Sequence, residues 1–481
     1  MPNVAQVKGV ELRGKRVLAV GLARTGVATA FFCAARGAQM TATDARPESE
    51  LRETVSKLRD AGVRCELGAH ADDLFLSQDL IVPSPGVPAD MPQLLVARKG
   101  GVTIWSEIEL AFRFLSGRLI GITGSNGKTT TTSLLEHILR SAGYSTILAG
   151  NIGTPLISGV EGSHDDSVTV AELSSFQLEL TETFRPNIAV FLNLTPDHLD
   201  RHHTMEAYGA AKARIFANQT ERDIAVLNAD DAGTTPYAPT HPQVYWFSRK
   251  QRVAQGAFVK DGQIVVRSDG EEQAILQVAE IPLVGAHNLE NVLAAVLTAK
   301  LAGADAKNIA DAVKSFAGVE HRLEFVAEIG GVRYYNDSKA TNVDATQKAL
   351  EAFPGRVIVI LGGKDKDSDY TTLRKDLSER SILALLIGSA AEKIAGQIAG
   401  SVKVERAGTL ERALEYADHE ARPGDIVLLA PACASFDQFE NYEHRGRVFK
   451  ELVHKLAERA AQKPQGSADS ALRYTALQEG R

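Results

Sequence analysis

A chain of 481 residues is long enough for about three domains of roughly 150 residues each, and 44% apolar with 23% charged residues describes a globular protein able to bury sizeable cores. The net charge of -7 leaves no basic footprint for nucleic acid, and no dense Lys/Arg patch stands out along the chain. Three widely separated cysteines, Cys33, Cys65 and Cys433, argue against a disulfide framework or a cysteine zinc site and read as reduced thiols. The first residues, Met1-Pro2-Asn3-Val4-Ala5-Gln6, lack a basic region followed by an apolar run of a signal peptide, and no apolar run approaches the roughly 18 residues of a membrane span. The expected compartment is the cytoplasm, without membrane insertion.

Lys15-Arg16-Val17-Leu18-Ala19-Val20-Gly21 reads as a buried parallel strand, and Leu22-Ala23-Arg24-Thr25-Gly26 as a glycine turn entering a helix. A second strand, Gln39-Met40-Thr41-Ala42-Thr43, ends in Asp44, about where a Rossmann-type fold places the acid that reads a ribose. The turn is not GxGxxG, so the opening is Rossmann-like without the full dinucleotide fingerprint. Asp79-Leu80-Ile81-Val82 is a further strand, running into the rigid loop Pro83-Ser84-Pro85-Gly86-Val87-Pro88. Open α/β sheets bind ligands at such strand ends, so Ser84 and Gly86 are either ligand contacts or parts of a simple turn. Trp105-Ser106-Glu107-Ile108-Glu109 begins a helix that links to the next domain.

Leu119-Ile120-Gly121-Ile122-Thr123 leads into Gly124-Ser125-Asn126-Gly127-Lys128-Thr129-Thr130, and the residues that follow recur at helical spacing. Strand, glycine turn and helix form a phosphate loop: backbone N–H groups approach phosphate oxygens, Lys128 supplies a point charge, and the Thr129 hydroxyl suits Mg²⁺. The function this motif predicts is ATP binding for chemistry at the γ-phosphate. Ile122 occupies the first glycine position of the general pattern, which makes the loop a subtype. Asn151-Ile152-Gly153 follows a helix and short strand. Ser167-Val168-Thr169-Val170-Ala171 delivers Glu172 beside the loop, where an acid holds Mg²⁺ directly or through water. Ile188 to Asn193 is another strand, ending at Leu194-Thr195-Pro196-Asp197-His198, and His198 is placed to ligate a cation or touch substrate. Lys212 lies in an Ala-rich helix; as a cation it would bind phosphate, whereas CO₂ added to its neutral amine would reverse its charge and create metal-binding oxygens. Gly285-Ala286-His287-Asn288-Leu289-Glu290-Asn291 opens a long apolar helix, its amides either pairing with a base edge or capping the helix.

From about Val319, strands and helices alternate again, which implies a second Rossmann-like sheet. Tyr334-Tyr335-Asn336 runs into Asp337-Ser338-Lys339-Ala340-Thr341-Asn342, and Val357 to Leu361 into Gly362-Gly363-Lys364-Asp365-Lys366. Leu383 to Ile387, and Asp425 to Ala430 before Pro431-Ala432-Cys433-Ala434-Ser435, repeat the pattern. The polar segment from about Gln462 is expected to be disordered.

Taken together, Thr123 to Thr130, Glu172 to Leu178, Asn193 to Asp200, His287-Asn288, Asp337 to Asn342 and Pro431 to Phe439 resemble the Mur ligases, at their D-glutamate-adding branch, over nearly the whole chain. The resemblance implies an α/β protein of three domains: a Rossmann-like UDP-substrate domain at 1–106, a central phosphate-loop ATPase domain with a mainly parallel sheet at 107–318, and a Rossmann-like amino-acid-binding domain at 319–461, with a tail at 462–481. It implies ATP-driven amide formation between UDP-N-acetylmuramoyl-L-alanine and D-glutamate in peptidoglycan precursor synthesis, by a monomer. Gly124, Ser125, Asn126, Gly127, Lys128, Thr129, Thr130, Asn291, Arg322 and Asp337 would bind ATP. Thr129 and Glu172 would hold one Mg²⁺, and Glu172, His198 and a carbamylated Lys212 a second; Lys128, His198 and Lys212 would be catalytic. Asp44, Arg46, Ser84, Gly86 and Asn151 would contact the UDP substrate. Lys339, Thr341, Lys366, Ser435 and Tyr442 would form the D-glutamate pocket, two lysines facing two carboxylates. Tyr442 stands where Phe is expected and Lys364 where an acid is common. The alternatives are a family member of different amino-acid specificity and a nucleotide sensor that no longer turns over.

Overall fold

Each apolar run ends in a glycine or polar turn, and in the computed structural model, which describes residues 10–68, 71–365 and 367–462, these runs build three sheets. The first contains β1 (Arg16–Val20), β2 (Gln39–Asp44), β3 (Arg64–Leu67), β4 (Leu80–Pro83) and β5 (Thr103–Ile104), all parallel in the order β3-β2-β1-β4-β5. Val17 to Val20 are buried without alternation, as expected of a strand covered on both faces.

The second sheet contains β6 (Arg118–Thr123), β7 (Ser145–Gly150), β8 (Ser167–Glu172), β9 (Ile188–Phe191), β10 (Ile224–Asn228), β11 (Gln243–Ser248), β12 (Gly256–Lys260), β13 (Gln263–Ser268) and β14 (Glu271–Gln277). Its order is β14-β13-β12-β11-β10-β9-β6-β8-β7, parallel except for the meander β12 to β14. The sequence reading assigned no elements to this meander, although its turns carry a local signal. Asp261-Gly262 and Asp269-Gly270 all have positive φ, 49°, 76°, 54° and 83°, the backbone that a tight hairpin demands and Asp-Gly supplies.

The first two sheets share one hydrophobic core, in which Phe32 packs edge-on to Phe114 with ring centroids 5.2 Å apart. The helix Glu107–Phe112 that joins them is entirely buried, and Glu109 is held at both oxygens: Oε2 accepts from the backbone N–H of Glu182, Thr183 and Phe184, Oε1 from Arg113 and Thr183. The described residues accordingly divide into two compact units, between Ala317 and Gly318.

The second unit holds the third sheet: β15 (Glu324–Ile329), β16 (Val332–Asn336), β17 (Val357–Gly362), β18 (Ser381–Ile387), β19 (Val404–Gly408) and β20 (Ile426–Leu429), in the order β15-β16-β20-β17-β18-β19. Only the edge pair β15–β16 is antiparallel. The helix Tyr442–Gln462 closes this unit; the predicted tail beyond Gln462 lies outside the described residues. Among the described residues no helix is long and apolar enough to cross a membrane.

Candidate functional site

The candidate phosphate loop lies between β6 and the helix Lys128–Ser141, and the segment that follows β9 clasps it. Asn193 Oδ1 accepts from the Asn126 N–H at 2.8 Å and Asn193 Nδ2 donates to the Asn126 carbonyl at 3.1 Å, so one side chain satisfies both backbone groups of the loop's tip. Ser125 Oγ donates to the Thr195 carbonyl at 2.9 Å and accepts from the Thr195 N–H at 3.0 Å. Gly127 has φ 81°, and a Cβ there would sit 2.1 Å from Asn291 Oδ1. Asn291 thus reaches the loop from the helix Ala286–Ala302, with its own Nδ2 donating to Asn288 Oδ1 at 3.2 Å.

Lys128 Nζ donates to the carbonyls of Gly124 at 2.8 Å and Ser125 at 2.9 Å. Lys212 Nζ donates to the same Gly124 carbonyl at 2.8 Å. Lys212 is only 2% exposed, and its Nζ lies 4.5 Å from the Tyr208 ring centroid. Burial first, and the Lys128 charge second, push its ammonium well below the ordinary lysine range, against the opposing pull of Asp197 and Glu172. Burial thus lowers the cost of the neutral amine, the form that acts as a nucleophile.

Glu172 ends β8 at 2% exposure. Its Oε1 accepts from Asn151 Nδ2 at 2.9 Å, while Oε2 is buried with no hydrogen-bond partner among the described residues. Such an acceptor is expensive unless a cation or donor arrives. Thr129 is buried in the first turn of its helix. His198 adopts a left-handed backbone at φ 53° and packs edge-on to Phe176 at 4.9 Å and Tyr208 at 6.2 Å, which brings its ring to the Tyr208 side chain that Lys212 also touches. No cluster of three His, Cys, Asp or Glu suited to a metal ion exists among the described residues, and the donors present here are oxygens, the Glu172 carboxylate and the Thr129 hydroxyl. Such hard oxygen donors suit Mg²⁺.

On the first sheet, Asp44 is ion-paired with Arg46 at 2.8 Å and accepts from the Leu22 N–H at 2.7 Å, and the Arg46 hydrogen bond holds its carboxyl well below the usual range. Ser84 Oγ donates to the Gly21 carbonyl at 2.8 Å, so here the hydroxyl builds the turn. Apart from its chain neighbours, no described residue has an atom within 4 Å of where a Cβ on Gly86 would be. Sequence reasoning passed over Arg201, which donates to the Val87 carbonyl at 3.1 Å, pairs with Glu179 at 3.1 Å and lies over the Phe176 ring at 4.6 Å. Arg201 and Glu179 border a cleft of about 420 Å³ lined also by Ala89, Asp90, His202 and Ala211.

In the second unit, the loops after β16, β20 and β17 lie side by side at the carboxyl ends of adjacent strands. Lys339 Nζ is 5.3 Å from the Tyr442 ring centroid, Ser435 is buried, and the Thr341 N–H donates to the Lys339 carbonyl at 2.8 Å. The predicted pocket residue Lys366 lies outside the described residues. Lys364 bridges to Ala434 through its backbone. Sequence reasoning also missed Arg445, fully buried, which donates to the Ser338 carbonyl at 2.8 Å and to the Cys433 carbonyl at 3.2 Å. Among the described residues no carboxylate is ion-paired with it, although Asp437 is near enough to act on its charge.

Burial pushes the Asp337 carboxyl up to about 7 from 3.8, against the pull of Arg322, the Leu323 N–H and Lys339. The folded state therefore favours the neutral acid: this contribution to stability is complete below pH 3.8, declines as pH rises, and is lost above about pH 7. Asp337→Asn, neutral throughout, is expected to raise the melting temperature more at pH 8 than at pH 5, each displaced pH unit being worth about 1.4 kcal/mol. Thermal melts at the two pH values check this; equal shifts would contradict it.

Three family models match the chain: Mur ligase MurD-like, N-terminal domain, at residues 15–106; Mur ligase middle domain at 122–299; and Mur ligase, glutamate ligase domain, at 321–433. A protein of Acidobacterium capsulatum named UDP-N-acetylmuramoylalanine--D-glutamate ligase is 56% identical over 94% of this chain and 98% of its own length. One of the same name from Koribacter versatilis is 54% identical over 93% and 99%. Among solved structures, the MurF ligase of Thermotoga maritima in complex with ADP superimposes with a TM-score of 0.57 at 18% identity over 94% of this chain and 99% of that one, which shows a shared fold. The UDP-N-acetylmuramate-alanine ligase of the same organism gives 0.56 at 19% identity over 92% and 100%.

Proposed function

Because the chain belongs to the Mur ligase family, we propose that it joins D-glutamate to the terminal carboxylate of UDP-N-acetylmuramoyl-L-alanine, driven by ATP. A carboxylate and an ammonium do not condense readily in water. The substrate carboxylate takes the γ-phosphoryl group, releasing ADP; the neutral amine of D-glutamate attacks the acyl phosphate, and the tetrahedral intermediate expels phosphate to leave the amide.

The observation that carries the reading is the Gly124 carbonyl on which Lys128 and Lys212 converge, with Glu172, whose Oε2 has no hydrogen-bond partner among the described residues, near enough to act on Lys212. Lys128 offsets charge on the transferring phosphoryl, the electrostatic contribution that usually dominates such chemistry. The Lys212 amine attacks CO₂ and loses a proton, which gives a carbamate. Mg²⁺ would be held at one position by Thr129 and Glu172 and at a second by Glu172, His198 and the carbamate; it supplies positive charge to the phosphoryl oxygens. Gly124 to Thr130, with Asn291, Arg322 and Asp337, are assigned to ATP. Asp44, Arg46, Ser84, Gly86 and Asn151 are assigned to the UDP substrate, and Lys339, Thr341, Lys366, Ser435 and Tyr442 to D-glutamate. The domain limits go with this reading, at 1–106, 107–318 and 319–461, as do action as a monomer and a cytoplasmic location.

The test is phosphate release with ATP, Mg²⁺ and UDP-N-acetylmuramoyl-L-alanine, comparing D-Glu, L-Glu, D-Asp, L-Lys and no amino acid. Release with D-Glu alone is expected. Release with another amino acid overturns the pocket assignment, and ATP binding without release identifies a sensor.

A further inference from the structure

A path of polar groups, buried from Tyr370 to Ser338 and half-buried at Asp365 and Lys393, none of them used by the reaction above, joins the three loops at the carboxyl end of the third sheet. Tyr370 is 0% exposed at the start of the short turn Tyr370–Leu373. Its hydroxyl lies 2.8 Å from Asp365 Oδ1 and 2.9 Å from Cys433 Sγ. A phenol has one proton to give, and an ionised carboxylate only accepts. Tyr370 O–H therefore donates to Asp365, and the Cys433 S–H donates to the tyrosine oxygen.

The ionisation states agree with this direction. Burial raises the Asp365 carboxyl, but hydrogen bonds from Lys393 and Tyr370 outweigh it and hold the group at about 2, while burial pushes the Cys433 thiol up to about 11. Asp365 Oδ2 accepts from Lys393 Nζ at 2.7 Å, and Oδ1 also accepts from the Ser368 N–H at 3.2 Å. From Cys433 the path continues through its carbonyl to Arg445, at 3.2 Å from both terminal nitrogens, and from Arg445 Nε to Ser338 Oγ at 3.0 Å. Ser338 Oγ in turn donates to the Tyr442 carbonyl at 2.8 Å. Lys393, Asp365, Tyr370, Cys433, Arg445 and Ser338 thus connect the loop after β17, the loop after β20 that carries Ser435, and the loop after β16 that carries Lys339 and Thr341.

Backbone bonds hold the roots of two of these loops: Gly362 N–H to the Pro431 carbonyl and Lys364 N–H to the Ala434 carbonyl, both at 2.8 Å. Among the described residues the last of these bonds is at Lys364. At the next residue the Asp365 side chain, fixed by Tyr370 and Lys393, ties the β17 loop to the Ser435 loop through Cys433. We propose that Tyr370 is a positioning residue for amino-acid recognition, its hydroxyl setting the spacing between the Gly362–Asp365 and Pro431–Ser435 loops so that Ser435 meets a dicarboxylic amino acid already arranged. The proposal rests on the D-glutamate reading of this unit.

Tyr370→Phe keeps the ring and removes only the hydroxyl. With wild type and variant assayed side by side, the variant's KM for D-glutamate is expected to rise about tenfold, the effect of one hydrogen bond to a charged group. Its kcat and its KM for ATP should stay within about twofold of wild type. Cys433→Ser, whose hydroxyl still donates to the tyrosine oxygen, should retain the wild-type KM, whereas Cys433→Ala should raise it. An unmoved KM for D-glutamate in Tyr370→Phe, or an equal rise in both KM values, overturns the proposal while wild-type turnover leaves the functional reading intact. No D-glutamate-dependent release by the wild type overturns both.

Discussion

Gly127→Ala is expected to weaken ATP binding at least about 100-fold, equivalent to about 2.7 kcal/mol, and to abolish turnover at ordinary ATP concentrations. Two effects combine. An L-residue held at φ 81° costs roughly 1–2 kcal/mol, and the new Cβ would lie 2.1 Å from Asn291 Oδ1, far inside contact distance. Asn291 cannot retreat freely, because its Nδ2 is bonded to Asn288 and its Oδ1 accepts from Thr131 Oγ1 at 3.3 Å. Either the helix start or the loop must therefore shift, and both belong to the proposed nucleotide site. Calorimetric titration with ATP measures the effect. Gly143→Ala is the control: φ there is 88° with nothing within 4 Å, so it carries the backbone strain without the collision. Affinity within about threefold of wild type for Gly127→Ala, or equal losses in the two variants, would refute this account.

The second large effect belongs to Lys212. Lys212→Ala is expected to lower turnover by about 10³, the scale of losing a preorganised electrostatic group at a reacting centre, with the fold retained. The side chain's polar contact in the described structure is a single carbonyl, that of Gly124, shared with Lys128. Lys212→Met, which restores volume but not the amine, should be equally inactive, and this excludes a cavity as the cause. Wild-type activity should fall in bicarbonate-free buffer and return when bicarbonate is added. Near-normal turnover in either variant, or no bicarbonate dependence in the wild type, would remove the carbamate from the reading.

Much of the site was legible because its parts are local. A strand that empties into Gly124 to Lys128 announces a phosphate loop, since glycine turns and a helix start are encoded within a few residues. Glu172 was found the same way, as an acid delivered by an apolar run, and so were the three polar loops of the second unit. The hairpins at Asp261-Gly262 and Asp269-Gly270 were equally local and were passed over. Arg201, Arg445 and Tyr370 are different. Each is an ordinary polar or aromatic residue in its own segment, and its role comes from a partner distant in sequence.

From the sequence alone, then, came the alternation of strand, turn and helix, and the residue types at each strand's carboxyl end, because periodicity and turn chemistry act between near neighbours. Only the tertiary structure decided which strand ends adjoin. The orders β9-β6-β8 and β16-β20-β17 bring Asn193 to Asn126 and Cys433 to Tyr370. The same packing sets Lys212 against the Gly124 carbonyl and Asn291 against Gly127. Those meetings follow from burying both faces of each sheet at once, a condition on the whole chain that no single segment expresses.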